Sequence, residues 1–388
     1  MMNPTFLQQE LEELQAKDLY RSLRVLSEVQ GTRARLEGIP ILLFCGNDYL
    51  GLSQHPRLIE AAGKAAKKYG VGAGASRLVS GTSAVHTRVE EKIAGWKGKE
   101  KALLFSSGYL TNLGVLSALA GEKDLIVMDK LCHASLIDGA RLSGATIRVF
   151  PHKNYERCDE IFEKNQDYPR KLLVSDTVFS MDGDLADLNA LVKIKKQFGA
   201  ILIVDDAHGT GVMGLRGRGA AEDSGLEPEI DVIIGTTSKA LGCLGGFAAA
   251  SAEVIDYLIN SSRAFIFSTA IPPVLCAVID EALTLLDEQP QIRHKLWRNI
   301  QILHEGLSGL GLIQGPIISP IFPVIFGEEK AALKASQYLK EQGILVPAIR
   351  YPTVPKGKAR LRITISSLHE KEEIDLLLSA LRTIRSQV

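Results

Sequence analysis

The middle of the chain alternates two hydrophobic rhythms. Short apolar runs at residues 102–105, 125–128, 147–150, 172–174, 201–204 and 232–234, broken only by Arg148, predict strands. Between most of them apolar positions recur every three or four residues, as in 110–119, 134–142 and 188–198, which predicts helices. A strand that is apolar at every position is buried on both faces. Such strands, alternating with helices, predict an α/β domain whose mostly parallel sheet is covered by helices.

The ends of the chain have a different texture. Leu7, Leu11, Leu14, Leu19, Leu23 and Leu26 keep helical spacing and predict an amphipathic N-terminal helix lying on the body of the protein. Past about residue 290, a strand-like stretch at 320–326 precedes a helical one near 330–341, then an apolar run at 344–346 and a cleanly alternating strand at 361–365. A last helix is expected to open at Ser367, with Glu370 in capping-box spacing. The predicted organisation is an N-terminal helical segment (1–45), a large domain (46–288) and a smaller C-terminal α+β domain (289–388), linked across the proline-bearing stretch 287–292.

Charge and cysteine content narrow the function classes. Lys+Arg and Asp+Glu each number 45, a balance that argues against a nucleic-acid surface. The five cysteines form no C-x-x-C pair, so a disulfide framework or structural zinc site is not expected, and no metal is. The N-terminus has no signal-peptide pattern, and no apolar run nears the roughly 20 residues of a membrane span. A cytoplasmic location away from membranes is expected.

Several motifs fail their context tests. Gly70-Val-Gly72-Ala-Gly74-Ala75 follows a helical pattern instead of a strand, so it is not read as a dinucleotide loop. P-loop, G-x-S-x-G and H-x-x-x-H patterns do not occur.

What remains is a set of polar residues where strands end, the edge at which open α/β sheets bind ligands. Asp205-Asp206-Ala-His208 follows one apolar strand, and Thr236-Thr-Ser-Lys239 follows the next. Ser106-Ser-Gly108-Tyr109 stands between a strand and a helix, where backbone N–H groups suit a phosphate. Ser180 lies in Val178-Phe-Ser180-Met-Asp182-Gly-Asp184. Together they describe a site for pyridoxal 5′-phosphate (PLP): a lysine for its aldehyde, a carboxylate for its ring nitrogen, and a helix start for its phosphate.

These motifs, with Asn47-Asp-Tyr-Leu-Gly51, residues 72–81 and His133-Ala-Ser, resemble the α-oxoamine synthase family of fold-type-I PLP enzymes over nearly the whole chain. The resemblance implies an aminotransferase-like large domain with a mostly parallel seven-stranded sheet. It implies that Lys239 binds PLP as a Schiff base and acts as catalytic base, and that Asp205 pairs with the ring nitrogen. His208 would bond the 3′ oxygen with Ser180 nearby, and His133 would stack on the ring and assist catalysis. Gly108, Tyr109 and Thr236 would hold the phosphate, with Ser268 (or Thr269) reaching the neighbouring subunit's phosphate in a homodimer with shared sites. Within the family, Asp205-Asp-Ala-His-Gly-Thr-Gly211 and the stretch 348–355 resemble the oxononanoate-forming branch. That branch implies a decarboxylating Claisen condensation of L-alanine with a pimeloyl thioester in biotin biosynthesis. Arg350 would clamp the amino-acid carboxylate, Asn47 and Thr353 would line the substrate site, and Arg21 would meet the distal carboxylate of the pimeloyl chain. The thioester carrier is coenzyme A or an acyl-carrier protein; 293–298 is a candidate basic patch for the latter, but the run reads first as a solvated helix face. Glycine C-acetyltransferase, another amino acid and acyl chain, general PLP chemistry and a non-catalytic scaffold subunit remain alternatives. Two departures stand out: Tyr351 where many relatives have proline, and Ser238 where glycine is common.

Overall fold

The computed structural model describes residues 5–17, 19–316 and 318–387. Its centre is a seven-stranded sheet in the spatial order Lys101–Phe105, Gly246–Ala250, Val232–Thr236, Ile201–Asp205, Lys171–Asp176, Leu125–Asp129, Thr146–Phe150. Gly246–Ala250 runs antiparallel to both neighbours, and the other pairings are parallel.

The unbroken apolar runs are explained by two cores, one on each face. Leu125, Val127, Leu173, Leu202 and Val204 point into one; Ile126, Met128, Leu172, Val174 and Ile203 point into the other. Burying such side chains is worth roughly 1.5–3 kcal/mol each, so both faces contribute to holding the sheet.

A three-stranded antiparallel sheet, Ile321–Gly327, Ala359–Thr364 and Ala348–Ile349, packs against the helix Glu329–Glu341, which in turn meets the helix Lys371–Gln387. Along Ala359–Thr364, Leu361 and Ile363 enter the main core, while Arg360 and Arg362 hydrogen-bond to residues 180–182 of the large sheet's loops.

The N-terminal expectation needs correction. The helix spans only Thr5–Ala16 and buries none of its residues. Leu23 lies beyond it, 98% exposed, and Leu26 opens a strand. Residues within 1–45 instead form a meander of three strands, Leu26–Gln30, Arg33–Leu36 and Ile39–Leu43, extended by the parallel strand Ile344–Leu345. Leucine spacing alone missed the turn residues that break the helix.

Two further boundaries differ. The last helix begins at Lys371, because the Ser367 hydroxyl donates to Leu50 O instead of capping it. The stretch 287–292 is no extended linker: helices Pro273–Glu288 and Pro290–Gly309 meet at Gln289.

Candidate active site

The strands Lys171–Asp176 and Ile201–Asp205 end side by side, with Asp176 opposite Asp205 in the register. The turn after Asp205 is anchored by Asp206, whose buried carboxylate accepts from Lys97 Nζ at 2.9 Å, Thr210 Oγ1 at 3.0 Å and Thr177 Oγ1 at 2.7 Å. Above that anchor the backbone presents Asp205 on one side and His208 on the other.

His208 is buried and uses both ring nitrogens. Nε2 lies 2.9 Å from Lys239 Nζ, and Nδ1 lies 2.7 Å from the Tyr49 hydroxyl. Burial, then the positive charge of Lys239 and Arg362, holds His208 well below the usual imidazole range, so its ring is neutral. Burial also pushes the Lys239 amine down to about 8, against the opposing pull of Asp205 and Asp176. Asp176 is raised well above the usual carboxylate range, by burial and then by Asp205.

Asp205 is held at both oxygens. Oδ1 accepts from Ala207 N at 2.8 Å and Oδ2 from Asn112 Nδ2 at 2.6 Å. The same Asn112 Nδ2 donates to Ser135 Oγ at 2.7 Å, and that hydroxyl lies 2.7 Å from His133 Nδ1. Asn112 therefore ties the carboxylate to the histidine. His133 stands at the start of helix Ala134–Ser143, its N–H donating to Asp176 Oδ2 at 2.9 Å and its Nδ1 accepting from Ser135 N at 3.3 Å. With Nδ1 an acceptor, the proton of the neutral ring sits on Nε2, which is left to donate to a ligand. The ring is exposed, and partial desolvation lowers its pKa.

Gly108 and Tyr109 open the helix Gly108–Leu119, capped by Ser107 Oγ on Leu110 N at 3.2 Å. The first N–H groups of a helix have no partner within it. A Cβ on Gly246 would stand 2.5 Å from Gly108 N, so the close approach of strand and helix start requires glycine. Thr236 lies against Gly108, but its hydroxyl already donates to Gly245 O at 2.7 Å and accepts from Ser238 N at 3.1 Å. Ser238 is accommodated without strain: its hydroxyl donates to Gly245 O and accepts from Gly245 N, each at 3.1 Å, closing the turn before Lys239. The Tyr109 hydroxyl is bonded to Asp138.

These residues fit PLP. The depressed lysine amine suits an aldehyde, Asp205 is oriented for a ring nitrogen, and the glycine-lined helix start suits a phosphate. Asn112 Oδ1 is buried without a partner beside them, and so is Thr237 Oγ1.

Other predicted residues lie elsewhere. Arg21, Arg350 and Thr353 line a groove of 560 Å³ with Arg24 and Tyr351, and neither Lys239 nor His133 borders it. Ser268 sits on an exposed strip beside Phe267, which is 70% exposed. Ser180 contributes its carbonyl to Arg362 Nε at 2.6 Å. In the helical run 293–298, Arg293 is buried and Lys295 pairs with Glu370 at 2.8 Å, so these two are not free to form a basic patch.

Sequence reasoning missed Arg362, Asn112, Tyr49 and Asp176. Arg362 is buried, 3.4 Å from Asn47 Oδ1, and acts electrostatically on Lys239, His208 and Tyr49. Its signal was present: two arginines alternate with apolar residues in Ala359–Thr364.

Among the described residues no cluster of His, Cys, Asp or Glu could hold a metal, and no helix is long and apolar enough to cross a membrane.

Comparison with known proteins gives the family. The profile of the class I and II aminotransferases matches residues 39–381. The 8-amino-7-oxononanoate synthase of Citrifermentans bemidjiense is 47% identical over 371 residues, covering 95% of each chain. A serine palmitoyltransferase structure from S. paucimobilis, bearing a PLP–myriocin adduct, superposes with a TM-score of 0.93 at 31% identity, covering 99% of this chain and 98% of that one. The Francisella tularensis 8-amino-7-oxononanoate synthase gives a TM-score of 0.78 at 29% identity, covering 89% and 97%. The chain is a PLP-dependent acyltransferase of the α-oxoamine synthase family, within the class I and II aminotransferases.

Proposed function

We propose that the protein condenses L-alanine with a pimeloyl thioester, releasing CO₂ and the free thiol and forming 8-amino-7-oxononanoate for biotin synthesis. The observation that carries this reading is the lysine amine lowered to about 8, set 2.9 Å from His208 within reach of Asp205 and Arg362. It is joined by the 47% identity over 371 residues to a curated synthase of that name.

Lys239, Asp205, His208, His133, Thr236 and the N–H groups of Gly108 and Tyr109 would hold PLP. When bound, PLP supplies an electron sink for the pair released at the amino-acid Cα. Asp205 keeps that sink effective by pairing with the ring nitrogen. An amine of pKa about 8 is neutral in roughly one molecule of ten at pH 7, against about one in 3,000 for ordinary lysine. Lys239 therefore has a usable lone pair to take the Cα proton, and it returns a proton to that carbon once CO₂ has left. His133 donates from Nε2 to the acyl oxygen as the new carbon–carbon bond forms and the carbon–sulfur bond breaks.

Arg362 replaces Arg350 as the proposed clamp for the alanine carboxylate, because a guanidinium fork suits that group and Arg362 lies on the lysine floor. Asn47 accepts from Arg362 there and fixes its direction. Arg350 joins Arg21 and Thr353 in the groove, where a distal carboxylate would bind. Pairing of two chains over the exposed strip at Val71, Val79 and Phe267 would bring Ser268 to a second site, and these exposed apolar side chains support a homodimer. Coenzyme A or an acyl-carrier protein would carry the acyl group.

Thiol release measured for alanine with pimeloyl-CoA, glycine with acetyl-CoA and serine with palmitoyl-CoA tests the reading. The first pair should turn over fastest. Preference for either other pair would assign the chain to a different branch.

A further inference from the structure

We propose that Tyr49 is a positioning residue of the active site: its hydroxyl, bonded to His208 Nδ1, holds the imidazole toward Lys239 and lets Nε2 serve as acceptor or donor while the ring stays uncharged. This rests on Lys239 and His208 being the cofactor-facing pair, and goes beyond it to a residue that touches neither substrate nor cofactor.

Tyr49 is fully buried and packs in the main hydrophobic core near Leu50 and Leu52. Phenylalanine would fill that space equally well. A buried hydroxyl costs stability unless it is bonded, so its place here needs a reason. The reason is its partners: His208 Nδ1 at 2.7 Å and Asn47 Oδ1 at 3.3 Å, with the Arg362 guanidinium also acting on the hydroxyl. The rings themselves are 6.0 Å apart and tilted by 51°, so the two residues meet through the hydroxyl and not through ring stacking.

A hydroxyl can both give and accept a proton in hydrogen bonding, which defines two matched arrangements. In one, Lys239 donates to Nε2, Nδ1–H donates to the Tyr49 oxygen, and the Tyr49 O–H donates to Asn47 Oδ1. In the other, the Tyr49 O–H donates to Nδ1, and Nε2–H turns toward a neutral amine or an anionic oxygen. No charge appears on His208 in either arrangement.

The surroundings favour neutrality. Lys239 and Arg362 face His208 with positive charge, while Asp205 and Asp176 face Lys239. Burial pushes the Tyr49 phenol up to about 12, so it keeps its proton across the working range. Tyr49 carbonyl also accepts from Ser367 N at 2.8 Å, a backbone bond that any residue at this position would keep.

The test uses the holoenzyme and Tyr49→Phe, with Tyr49→Leu as a packing control. The first readout is the pH midpoint of the cofactor's visible absorption band, titrated without substrates. Tyr49→Phe should fold normally, move that midpoint by about half a unit or more, and lower kcat roughly 10-fold with KM for alanine within about 3-fold. Tyr49→Phe with wild-type midpoint and kcat, alongside a damaged Tyr49→Leu, would overturn the proposal and leave Tyr49 a packing residue. The titration needs no acyl donor, so an error in the proposed acyl substrate leaves its result unaffected.

Discussion

The site floor and the arginine groove solve opposite problems. On the floor, Lys239, His208, Asp205, Asn112 and Arg362 all have protein partners, and burial pushes the Lys239 amine and the His208 imidazole down. In the groove, Arg21, Arg24 and Arg350 line an open channel of 560 Å³ and form no ion pair with the described residues around them. A network whose members are mutually bonded is rigid and preorganised for chemistry. Unpaired guanidinium groups in an open groove are held for an anion that arrives with the substrate. Under the proposed function, this difference would give bond-making to the floor and acyl selection to the groove.

The largest test of that division is Lys239→Ala, which should abolish both turnover and the visible cofactor band. Residual catalysis above background would remove the floor's central member from the mechanism. Next is Asp205→Asn. It keeps the shape but replaces a charge-assisted bond worth roughly 1.5–3 kcal/mol, so kcat should fall about 10- to 150-fold with the fold intact. Wild-type rates would show that the ring-nitrogen assignment is wrong.

Arg21→Ala separates the two regions. It should raise KM for a donor with a distal carboxylate about 10-fold while leaving a neutral-tailed thioester and the visible band unchanged. A shifted band in Arg21→Ala would mean that groove and floor are one unit.

The smallest effect concerns the loop at 178–185, whose Ser180 carbonyl accepts from Arg362 of the floor. His152 lies 3.0 Å from Asp129 and 2.9 Å from Asp184, the latter at the end of that loop. Burial opposes its charge, but the bonds and charges of both aspartates outweigh burial and raise it to about 9. A raised histidine pKa stabilises the fold fully below the unfolded value of about 6.5 and loses that contribution as pH climbs through about 9. The melting temperature should therefore decline between those limits in the wild type, and less steeply in His152→Gln. Equal slopes would discount the clasp.

Much of the floor could be read from the sequence because strand ends and motif spacing place residues through local chemistry. Six of the seven central strands showed as apolar runs. Gly246–Ala250 did not, because glycine and alanine carry little strand preference, and only its two antiparallel neighbours fix it. Asn112 was hidden in an otherwise apolar helix, and its role exists only once Asp205 and Ser135 are brought beside it. Arg362 was legible as a polar beat in an alternating strand, but which cleft that beat faces is a tertiary fact. The groove was least legible: Arg21 and Arg350 are far apart in sequence, and no local pattern says that they share one channel.

The most direct test of the whole account follows one carbon. L-Alanine labelled at its carboxyl carbon is supplied with pimeloyl-CoA, and gas and product are examined by mass spectrometry. The account predicts that the label leaves as CO₂ and that the product has the mass of unlabelled 8-amino-7-oxononanoate. Label retained in the condensation product, or recovered in pyruvate, would contradict it.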